Sequence, residues 1–326
     1  MKSKWNRLRE LWSYYCQAAR RCRIGRLARW LLFPHYLYCR HTVHCSPEEY
    51  FEYRFYKISQ AQRKKYLLIY HQRVMYRLVN QKGATRSKVD FAQRFPVQYG
   101  RELLDLRTCD FAAFEAFFQK HQKIIIKPDN ASYGRDISVF EFTDALQAAQ
   151  IYARYAQKEF FCEEFIRQHR VLQALNSHAV NTVRVLVLQD GDETKIIGAA
   201  LRSGSGDNVV DNLKHGGIGA NVNVETGVVD TVGKDYAGVT YERHPNTGVA
   251  FRGLQIPFWQ EAMDMIREMH PQLKECAVLG WDVAVTEQGP LIVEINNAPG
   301  PMIHQYIDRI PRGEELIRFF EKRQKQ

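Results

Sequence analysis

The stretch Leu279 to Pro301, LGWDVAVTEQGPLIVEINNAPGP, decides the fold. It contains two short runs of apolar and β-branched residues, Leu279 to Val285 and Leu291 to Ile295, with Glu287-Gln288-Gly289-Pro290 between them. Runs of this kind on either side of Gly and Pro are typical of a β-hairpin. We therefore predict two adjacent antiparallel strands in this part of the chain.

The predicted hairpin brings acidic side chains together. If it closes symmetrically about Gln288, Asp282 lies directly opposite Glu294, which is unfavourable for like charges among apolar neighbours. Asn296 shares a face with Glu294, because side chains two apart on a strand point the same way. Three oxygen donors suit a hard cation such as Mg²⁺, which completes its coordination shell with water and phosphate. The alternative is an ordinary hairpin whose polar residues face water.

The same residues carry a family resemblance. Gly280-Trp281-Asp282-Val283, a short turn and then Val293 to Asn297 together resemble the metal-binding end of the ATP-grasp ligases. In that family an aspartate, a glutamate and an asparagine hold Mg²⁺ against the phosphates of ATP. The resemblance implies ATP and Mg²⁺ as cofactors, with Asp282, Glu294 and Asn296 as the metal ligands.

Two upstream segments resemble the phosphate-binding part of the family. Lys88 lies before a predicted helix, where the family has its first phosphate-binding lysine. Ile124 to Lys127 predicts a buried strand, and the small polar residues after it predict a loop whose N–H groups can surround phosphate oxygens. The resemblance implies nucleotide contacts from Lys88, Lys127, Ser132 and Gly134, although the family usually has more glycines in this loop. A plain surface hairpin and a solvated Lys88 are the alternatives.

The segment Phe160 to Ile166 resembles the adenine-binding strand of the family. In the family pattern, the first Glu of an apolar strand ending in Glu-X-X-Ile accepts the adenine amino group, and the main chain after it contacts the ring edge. This pattern matches Glu163, with Glu164 and Ile166 contributing main-chain groups. The better-known ligases have a ribose-binding acid seven residues further on, but that position is Arg170 here, so ribose binding is unassigned.

A charged residue interrupts the long strand predicted at Val180 to Leu188. Arg184 needs a partner there, because burying it unpaired would be costly. A phosphate or carboxylate of a ligand would serve, and so would a structural salt bridge; we favour the ligand. A Gly-rich segment, Arg202 to Gly219, follows the next strand, and long loops inside compact domains are often functional. Its candidate contacts to substrate or nucleotide are Arg202, Asn212, Lys214 and His215.

The order of these segments matches the ATP-grasp proteins over about residues 85 to 310. Asn181 to Arg184, Gly216-Gly217-Ile218 and the Gly-Trp-Asp-Val hairpin resemble most closely the sugar-transfer-associated branch. We therefore expect an α+β chain with the ATP-grasp fold, two α+β lobes that grip ATP, preceded by a helical N-terminal region. The expected divisions are 1–84 for the basic helical region, 85–175 for the N-terminal lobe and 176–326 for the C-terminal lobe with the metal site.

Hydrophobic periodicity adds the helices. It predicts one or two basic helices within residues 1 to 33. Further helices are predicted at about 47–57, 61–80, 111–121, 143–157, 257–269 and 314–325. Residues 1 to 80 show no alternation of strands and helices, so the Rossmann-like domain that begins most ATP-grasp ligases is not expected.

The mechanism implied by the resemblance is phosphoryl transfer from Mg-ATP to a carboxylate, followed by attack of an amine on the acyl phosphate. Lys127 would hold phosphate oxygens, and Arg184 would stabilise the transferred phosphoryl group. We expect an ADP-forming carboxylate-amine ligase that acts on precursors of a surface polysaccharide or glycan. Two alternatives stay open: a kinase on the same fold, and a non-catalytic nucleotide- or glycan-binding module at the membrane.

The net charge of +10 is concentrated in residues 1 to 44, which contain ten Lys or Arg and a single acid, Glu10. The remainder is close to neutral, which argues against a specific nucleic-acid partner. A basic amphipathic helix with tryptophans can lie on an anionic membrane surface. Packing of the aromatic stripe on the protein body and binding of an anionic polymer are the alternatives.

Cysteine use favours the cytoplasm, because the seven cysteines are an odd number without a regular framework. The apolar run Trp30 to Cys39 is interrupted by Pro34 and is too short to span a bilayer, so only a peripheral position at the inner face of the membrane stays open. Residues 39 to 45 contain four side chains that could bind zinc, but their spacing matches no common structural zinc pattern. They are Cys39, His41, His44 and Cys45.

Overall fold

The structure is a computed structural model that describes residues 4–81, 87–129, 136–206, 211, 213–300 and 302–325. Its helices are α1 Lys4–Arg21, α2 Arg26–Val43, α3 Pro47–Glu52, α4 Gln60–Arg63, α5 Ile69–Val74, α6 Tyr76–Val79, α7 Lys88–Arg94, α8 Pro96–Tyr99, α9 Phe111–His121, α10 Ala145–Tyr155, α11 Arg170–Leu175, α12 Trp259–Met269, α13 Met302–Asp308 and α14 Glu314–Gln324. Its strands are β1 Leu103–Asp105, β2 Lys123–Pro128, β3 Ser138–Glu141, β4 Phe160–Glu164, β5 Thr182–Asp190, β6 Glu193–Ser203, β7 Ile218–Val222, β8 Gly233–Asp235, β9 Thr240–Tyr241, β10 Val278–Thr286 and β11 Gly289–Asn296.

The strands form two antiparallel sheets. The smaller has the order β1-β4-β2-β3 and packs on α9 and α10 through an aromatic and aliphatic core. The larger has the order β11-β10-β5-β6-β7-β8-β9. The strands predicted around Lys127, Glu163, Arg184 and Asp282 are therefore all present, and each lies inside a sheet.

The central strands of the large sheet are buried on both faces: one face packs on the main core, and the other, called the polar face, carries charged residues beside smaller apolar clusters. Val183, Val185, Trp281 and Val283 belong to the main core, which also contains the buried side of α12. Arg184 pairs with Ala200 on one side and Asp282 on the other, so these positions share the opposite face. The period of two residues thus puts the charged groups of three strands on one surface.

The N-terminal region is a bundle of α1, α2 and α3 around an aromatic core. Tyr15, Tyr36, Tyr50 and Phe51 are buried together there. The two predicted basic helices are present, and the second continues through Pro34 to Val43. Its buried positions Tyr36, Cys39 and Val43 continue the helical period, which explains why the helix tolerates the proline.

The single helix predicted at 61–80 is wrong. The chain instead forms α4, α5 and α6 with an extended segment between Arg63 and Ile69. Leu67 interrupts the helix because its main-chain N–H and C=O bond to the side-chain amide of Gln305, at 3.0 and 2.8 Å. Tertiary hydrogen bonds replace helical ones there, a contribution that local periodicity does not contain.

Residues 220–224 and 228–232, on either side of Glu225-Thr226-Gly227, predict a hairpin. The two segments do fold back on each other: the Asn223 N–H donates to the Val228 oxygen at 2.9 Å and the Asp230 N–H to the Asn221 oxygen at 3.0 Å. The regular pairing of β7 on this side is with β8, through Ile218 and Asp235. In the described part of the chain, no helix is both long enough and apolar enough to cross a membrane.

Candidate active site between the two sheets

The register of the β10–β11 hairpin brings the two predicted metal-binding carboxylates together. Asp282 pairs directly with Glu294, as the sequence predicts. The turn, however, has two central residues, since Thr286 pairs with Gly289, and the register shifts by one residue after Asp282 because Val293 is an extra residue on β11. This bulge restores the pairing that a symmetric turn about Gln288 would have produced.

Two arginines from neighbouring strands neutralise Asp282. Arg184 on β5 forms a two-point ion pair with it, through Nε to Oδ1 and through Nη2 to Oδ2 at 2.9 Å. Arg202 on β6 reaches Oδ2 at 3.0 Å. Burial alone would raise the pKa of Asp282, but the two guanidinium groups hold it below its usual value.

Glu294 lies in the opposite electrostatic situation. Burial raises the pKa of its carboxyl, and the charge of Asp282 raises it further against the attraction of Lys88 and Arg184. The Asn296 amide bridges the pair: in one orientation its nitrogen lies 3.4 Å from Asp282 Oδ2. In the other, the nitrogen lies 3.2 Å from Glu294 Oε1 and the oxygen accepts from Arg184 Nη2 at 3.3 Å.

This donor set fits a small oxygen-preferring cation. Glu294 and Asn296 offer oxygens, and because burial and Asp282 together outweigh the nearby cations at Glu294, a divalent cation would favour the ionised form of its carboxyl. Asp282 can join them only while sharing its oxygens with Arg184 and Arg202. No group of three or more His, Cys, Asp or Glu in the described residues could hold a metal ion, so an amide ligand is needed to complete the set.

Glycine allows the loop after β11 to pack tightly on the site. A Cβ built on Gly280 would lie 2.7 Å from Cβ of Pro299 and 3.4 Å from Cδ of Arg184. Only a residue without a side chain permits both contacts. Gly280 therefore sets the positions of the loop 297–300 and of the Arg184 side chain together.

A second charged cluster lies on the small sheet around Glu163. This carboxylate is 1% exposed and pairs with Lys127 and with Arg101, whose Nε donates to Oε2 at 3.0 Å. The Tyr99 hydroxyl also donates to it. Burial would raise the pKa of Glu163, but Arg101 and Lys127 lower it to about 2. Lys127, predicted to bind phosphate, and Glu163, predicted to bind adenine, are thus in direct contact.

Arg101 connects this cluster to the large sheet. Its Nη1 donates to the main-chain oxygen of Ile292 at 2.9 Å and its Nη2 to that of Val293 at 3.3 Å. Val293 is the bulged residue of β11, so one guanidinium joins Glu163 to the strand that carries Glu294. The sequence offered no sign of Arg101, because an arginine before a short strand is an ordinary surface pattern.

Lys88 is held at the start of α7 by Asp129. The Asp129 carboxylate is buried and accepts from the Lys88 N–H at 2.7 Å, from the Val89 N–H at 3.2 Å and from the Ser87 hydroxyl. Lys88 Nζ donates to the Asp129 main-chain oxygen at 3.2 Å. Since Asp129 follows Pro128 at the end of β2, the two predicted phosphate-binding lysines lie on segments joined by this carboxylate.

The other two residues of the predicted adenine-binding segment, Glu164 and Ile166, lie beside an apolar contact between the sheets. Ile166 packs with Ala284 and Leu291 in a small buried cluster. Glu164 is partly exposed, and its N–H donates to the Glu102 oxygen at 3.0 Å. The cluster of Ile166, Ala284 and Leu291 lies on the same face of the hairpin as Asp282 and Glu294, as expected for the apolar wall of a nucleotide site.

Some of the residues predicted to contact nucleotide or substrate lie outside the part of the chain that the structure describes, and others have protein partners. Ser132, Gly134 and Asn212 lie outside the described residues, as does the side chain of Lys214. Arg202 is in the site, although as a partner of Asp282 and, at 3.5 Å, of Asp211. His215 is exposed in a short 3₁₀ turn.

The four Cys and His side chains of residues 39–45 do not form one cluster. The buried Cys39 sulfur lies 3.9 Å from the ring nitrogens of His35, a residue outside the predicted group. His44 instead stacks on Tyr70 at 4.3 Å between ring centroids. All seven cysteines are free thiols.

Comparison with known proteins gives the family. A model of the family described as sugar-transfer associated ATP-grasp matches residues 61 to 316. Comparison with curated proteins finds no match. Among solved structures, the ATP-grasp ligase PsnB with its minimal precursor is similar at 13% identity over 75% of this chain and 64% of that chain, with a TM-score of 0.47. The chain therefore spans less than two thirds of the PsnB chain.

Two further structures are similar at the same level. D-alanyl-alanine synthetase A from Vibrio cholerae is 12% identical over 76% of this chain and 68% of its own, with a TM-score of 0.48. D-cycloserine synthetase DcsG is 9% identical over 74% of this chain and 71% of its own, with a TM-score of 0.44. The chain has the ATP-grasp fold, and because the family model matches most of its length, the protein belongs to the sugar-transfer associated ATP-grasp family.

Proposed function

We propose that the protein is an ATP-dependent carboxylate-amine ligase that forms an amide through an acyl phosphate and releases ADP and phosphate. The observation that carries the proposal is the arrangement of Asp282, Glu294 and Asn296 beside two arginines on the polar face of the large sheet. Lys88 and Lys127 are also close enough to this site to lower the pKa of the Glu294 carboxyl by their positive charge. Such convergence of cations and carboxylates suits the charge of a transferred phosphoryl group.

The chain's own residues divide the work as follows. In the first step a substrate carboxylate oxygen attacks the γ-phosphorus, the bond to the β,γ-bridging oxygen breaks, and ADP leaves. Arg184 and Arg202 neutralise charge on the transferring group, while Lys88 and Lys127 hold phosphate oxygens. Mg²⁺ held by Glu294, Asn296 and Asp282 would supply further charge neutralisation between the phosphates.

In the second step an amine nitrogen attacks the acyl carbon, phosphate leaves, and the amine loses a proton to solvent. Lys127 and Glu163 form an ion pair. On nucleotide binding, the adenine amino group takes the place of Lys127 at Glu163, and Lys127 turns to the phosphates. Arg101 keeps the Glu163 carboxylate ionised throughout. Ile166 provides an apolar wall and main-chain groups for the ring.

We assign the substrates to glycan assembly, with a carboxylate on a surface polysaccharide precursor joined to an amino acid or amino sugar. The family description, sugar-transfer associated, supports this class. The cytoplasm, where ATP is made and thiols stay reduced, is the proposed compartment. The division of the chain at residues 84 and 175 is part of the same proposal, with the nucleotide between the second and third parts.

Nucleotide binding is tested by thermal unfolding with ATP alone, with Mg²⁺ alone and with both. A ligand at about a hundred times its dissociation constant adds about 2.7 kcal/mol, a shift of a few degrees for a chain of this size. We expect a shift that needs both components and that disappears in Glu294→Gln. Wild-type protein without any shift would contradict the site.

The reaction class is tested by trapping. The protein is incubated with Mg-ATP, hydroxylamine and a panel of amino acids, hydroxy acids and uronic acids, and ADP and hydroxamate are measured together. A ligase gives hydroxamate in step with ADP, because hydroxylamine replaces the amine at the acyl phosphate. A kinase gives ADP with a stable phosphorylated product and no hydroxamate, and that result would overturn the ligase proposal.

A further inference from the structure

The N-terminal helices leave large apolar side chains in solvent. On α2 they form one stripe at helical spacing: Leu27, Trp30 and Leu31 are 73%, 66% and 70% exposed, and Leu37 and Tyr38 continue it. Positions three and four apart lie on one face of a helix. Because Tyr36, Cys39 and Val43 on the other side of α2 are buried in the aromatic core, this stripe faces away from the protein.

The first helix extends the same surface. Trp12 of α1 lies against Trp30 of α2, with 4.4 Å between ring centroids. Leu8 and Trp5, four and seven residues before Trp12, are 50% and 82% exposed. Apolar side chains of two adjacent helices therefore share one surface, which we call the Trp–Leu face: Trp5, Leu8, Leu27, Trp30, Leu31, Leu37 and Tyr38. Contiguous exposed apolar patches of this kind mark interaction sites.

The charge around this face is strongly one-sided. Residues 1 to 44 contain ten Lys or Arg and one acid, so the segment carries nearly all of the net charge of +10. Exposed arginines lie around the turn between the helices, at Arg20, Arg23 and Arg26, and Arg9 follows Leu8 on α1. A surface that combines tryptophan and leucine with surrounding arginine matches the interface of an anionic bilayer, where apolar groups enter the headgroup region and cations meet lipid phosphate.

We propose that the Trp–Leu face docks the protein on an anionic phospholipid surface. A second copy of the chain is a poor occupant, because residues 1 to 44 of each copy carry ten Lys or Arg and one acid, and two segments of the same high charge repel each other. An acidic protein or polymer satisfies the arginines but gives no reason for seven apolar side chains on one surface. The lipid surface satisfies both features. This inference concerns α1 and α2 alone, and so it stands apart from the ligase proposal.

The test uses the full-length protein and sedimentation with vesicles of two compositions, phosphatidylcholine alone and phosphatidylcholine with phosphatidylglycerol. We expect binding to the anionic vesicles only, weakened at about 0.5 M salt, where screening shortens the range of charge interactions to a few Å. The double variant Leu27→Gln/Leu31→Gln should reduce the partition coefficient by about ten-fold or more, because two leucines no longer leave water. No binding to the anionic vesicles would overturn the proposal.

A matched control separates apolar docking from simple charge attraction. Leu146 on α10 is 70% exposed, as is Leu31, and lies on a helix far from the N-terminal region in sequence. Leu146→Gln should bind vesicles as the wild type does, and all variants should unfold at the wild-type temperature. Equal binding by the double variant and the wild type would overturn the proposal in favour of an acidic polymer or protein partner.

Discussion

Asp282 and Glu294 face each other across the β10–β11 hairpin, yet their surroundings shift their pKa values in opposite directions. Asp282 is held below its usual pKa by Arg184 and Arg202, whereas the pKa of Glu294 is raised by burial and by Asp282 itself. The charge of Asp282 is thus neutralised by protein cations, whereas a bound cation would still stabilise the ionised form of Glu294. We therefore expect Asp282 to matter mainly for the stability of the fold and Glu294 mainly for binding the cation.

Glu294→Gln should remove Mg-ATP turnover while leaving the ligand-free protein as stable as the wild type or more stable. A carboxyl with a raised folded pKa contributes stability below its unfolded pKa and loses it as pH rises through the folded value. The wild type should therefore lose stability relative to Glu294→Gln as the pH rises above the unfolded pKa of a glutamate, about 4.3. Urea unfolding of both proteins at about pH 4 and at about pH 7 measures this. A variant that is the less stable of the two at the higher pH would contradict the assignment.

Asp282→Asn should instead destabilise the protein by about 3 kcal/mol, because Arg184 and Arg202 then lose a charged partner in a mostly buried place. The control is Asp264→Asn, which breaks the exposed ion pair with Arg267 on α12. An exposed pair contributes well under about 1 kcal/mol. Denaturant unfolding of both variants should show this contrast, and equal small effects would mean that the Asp282 pairs are not structural.

Gly280→Ala should lower the turnover number strongly, whereas it should lower the free energy of unfolding only slightly. The new methyl group would lie 2.7 Å from Cβ of Pro299 and so displace the loop 297–300 and the adjacent Arg184 side chain. We expect about a hundred-fold loss of kcat, since small misplacements of positioning groups have effects of that size. Gly25→Ala is the control, because a Cβ there meets nothing within 4 Å. Wild-type activity in Gly280→Ala would show that the loop position is irrelevant.

Glu163 should dominate the acid stability of the fold. Its pKa falls from the usual 4.5 to about 2 in the folded state, so its contribution is present above the unfolded value and is lost as pH falls toward the folded one. The shift corresponds to about 3 kcal/mol. Glu163→Gln should be less stable than the wild type at neutral pH, and the difference should shrink on acidification toward about pH 3. A difference that does not depend on pH would assign the effect to packing.

Much of this architecture could be predicted from the sequence because the decisive segments are strongly periodic. The Asp282–Glu294 pairing and the strands around Lys127, Glu163 and Arg184 follow from alternation and turn residues. The sequence allowed either a ligand or a protein carboxylate as the partner of Arg184. The structure shows a protein carboxylate, Asp282, which is also one of the candidate metal ligands.

What the sequence did not reveal depends on contacts between distant residues. Nothing near Asp129 indicates that it holds the start of α7, 41 residues earlier in the chain at Lys88. The breaks in the predicted 61–80 helix depend on Gln305, 238 residues away from Leu67. Local patterns report periodicity and turns, whereas a side-chain amide that replaces a helical hydrogen bond leaves no local pattern.

The extra residue at Val293 has a consequence for how this strand can change. Ile292 and Ile295 both lie in the apolar core although three positions separate them, and Leu291 and Glu294 both lie on the other face. Removing Val293 would join Ile292 to Glu294 in a regular ladder with the same partners, Val283 and Asp282, so both sets would keep their faces. Removing Ile295 instead would place Asn296 opposite Trp281, on the face of the core. We therefore expect the site to survive the deletion of Val293 and to be lost on the deletion of Ile295.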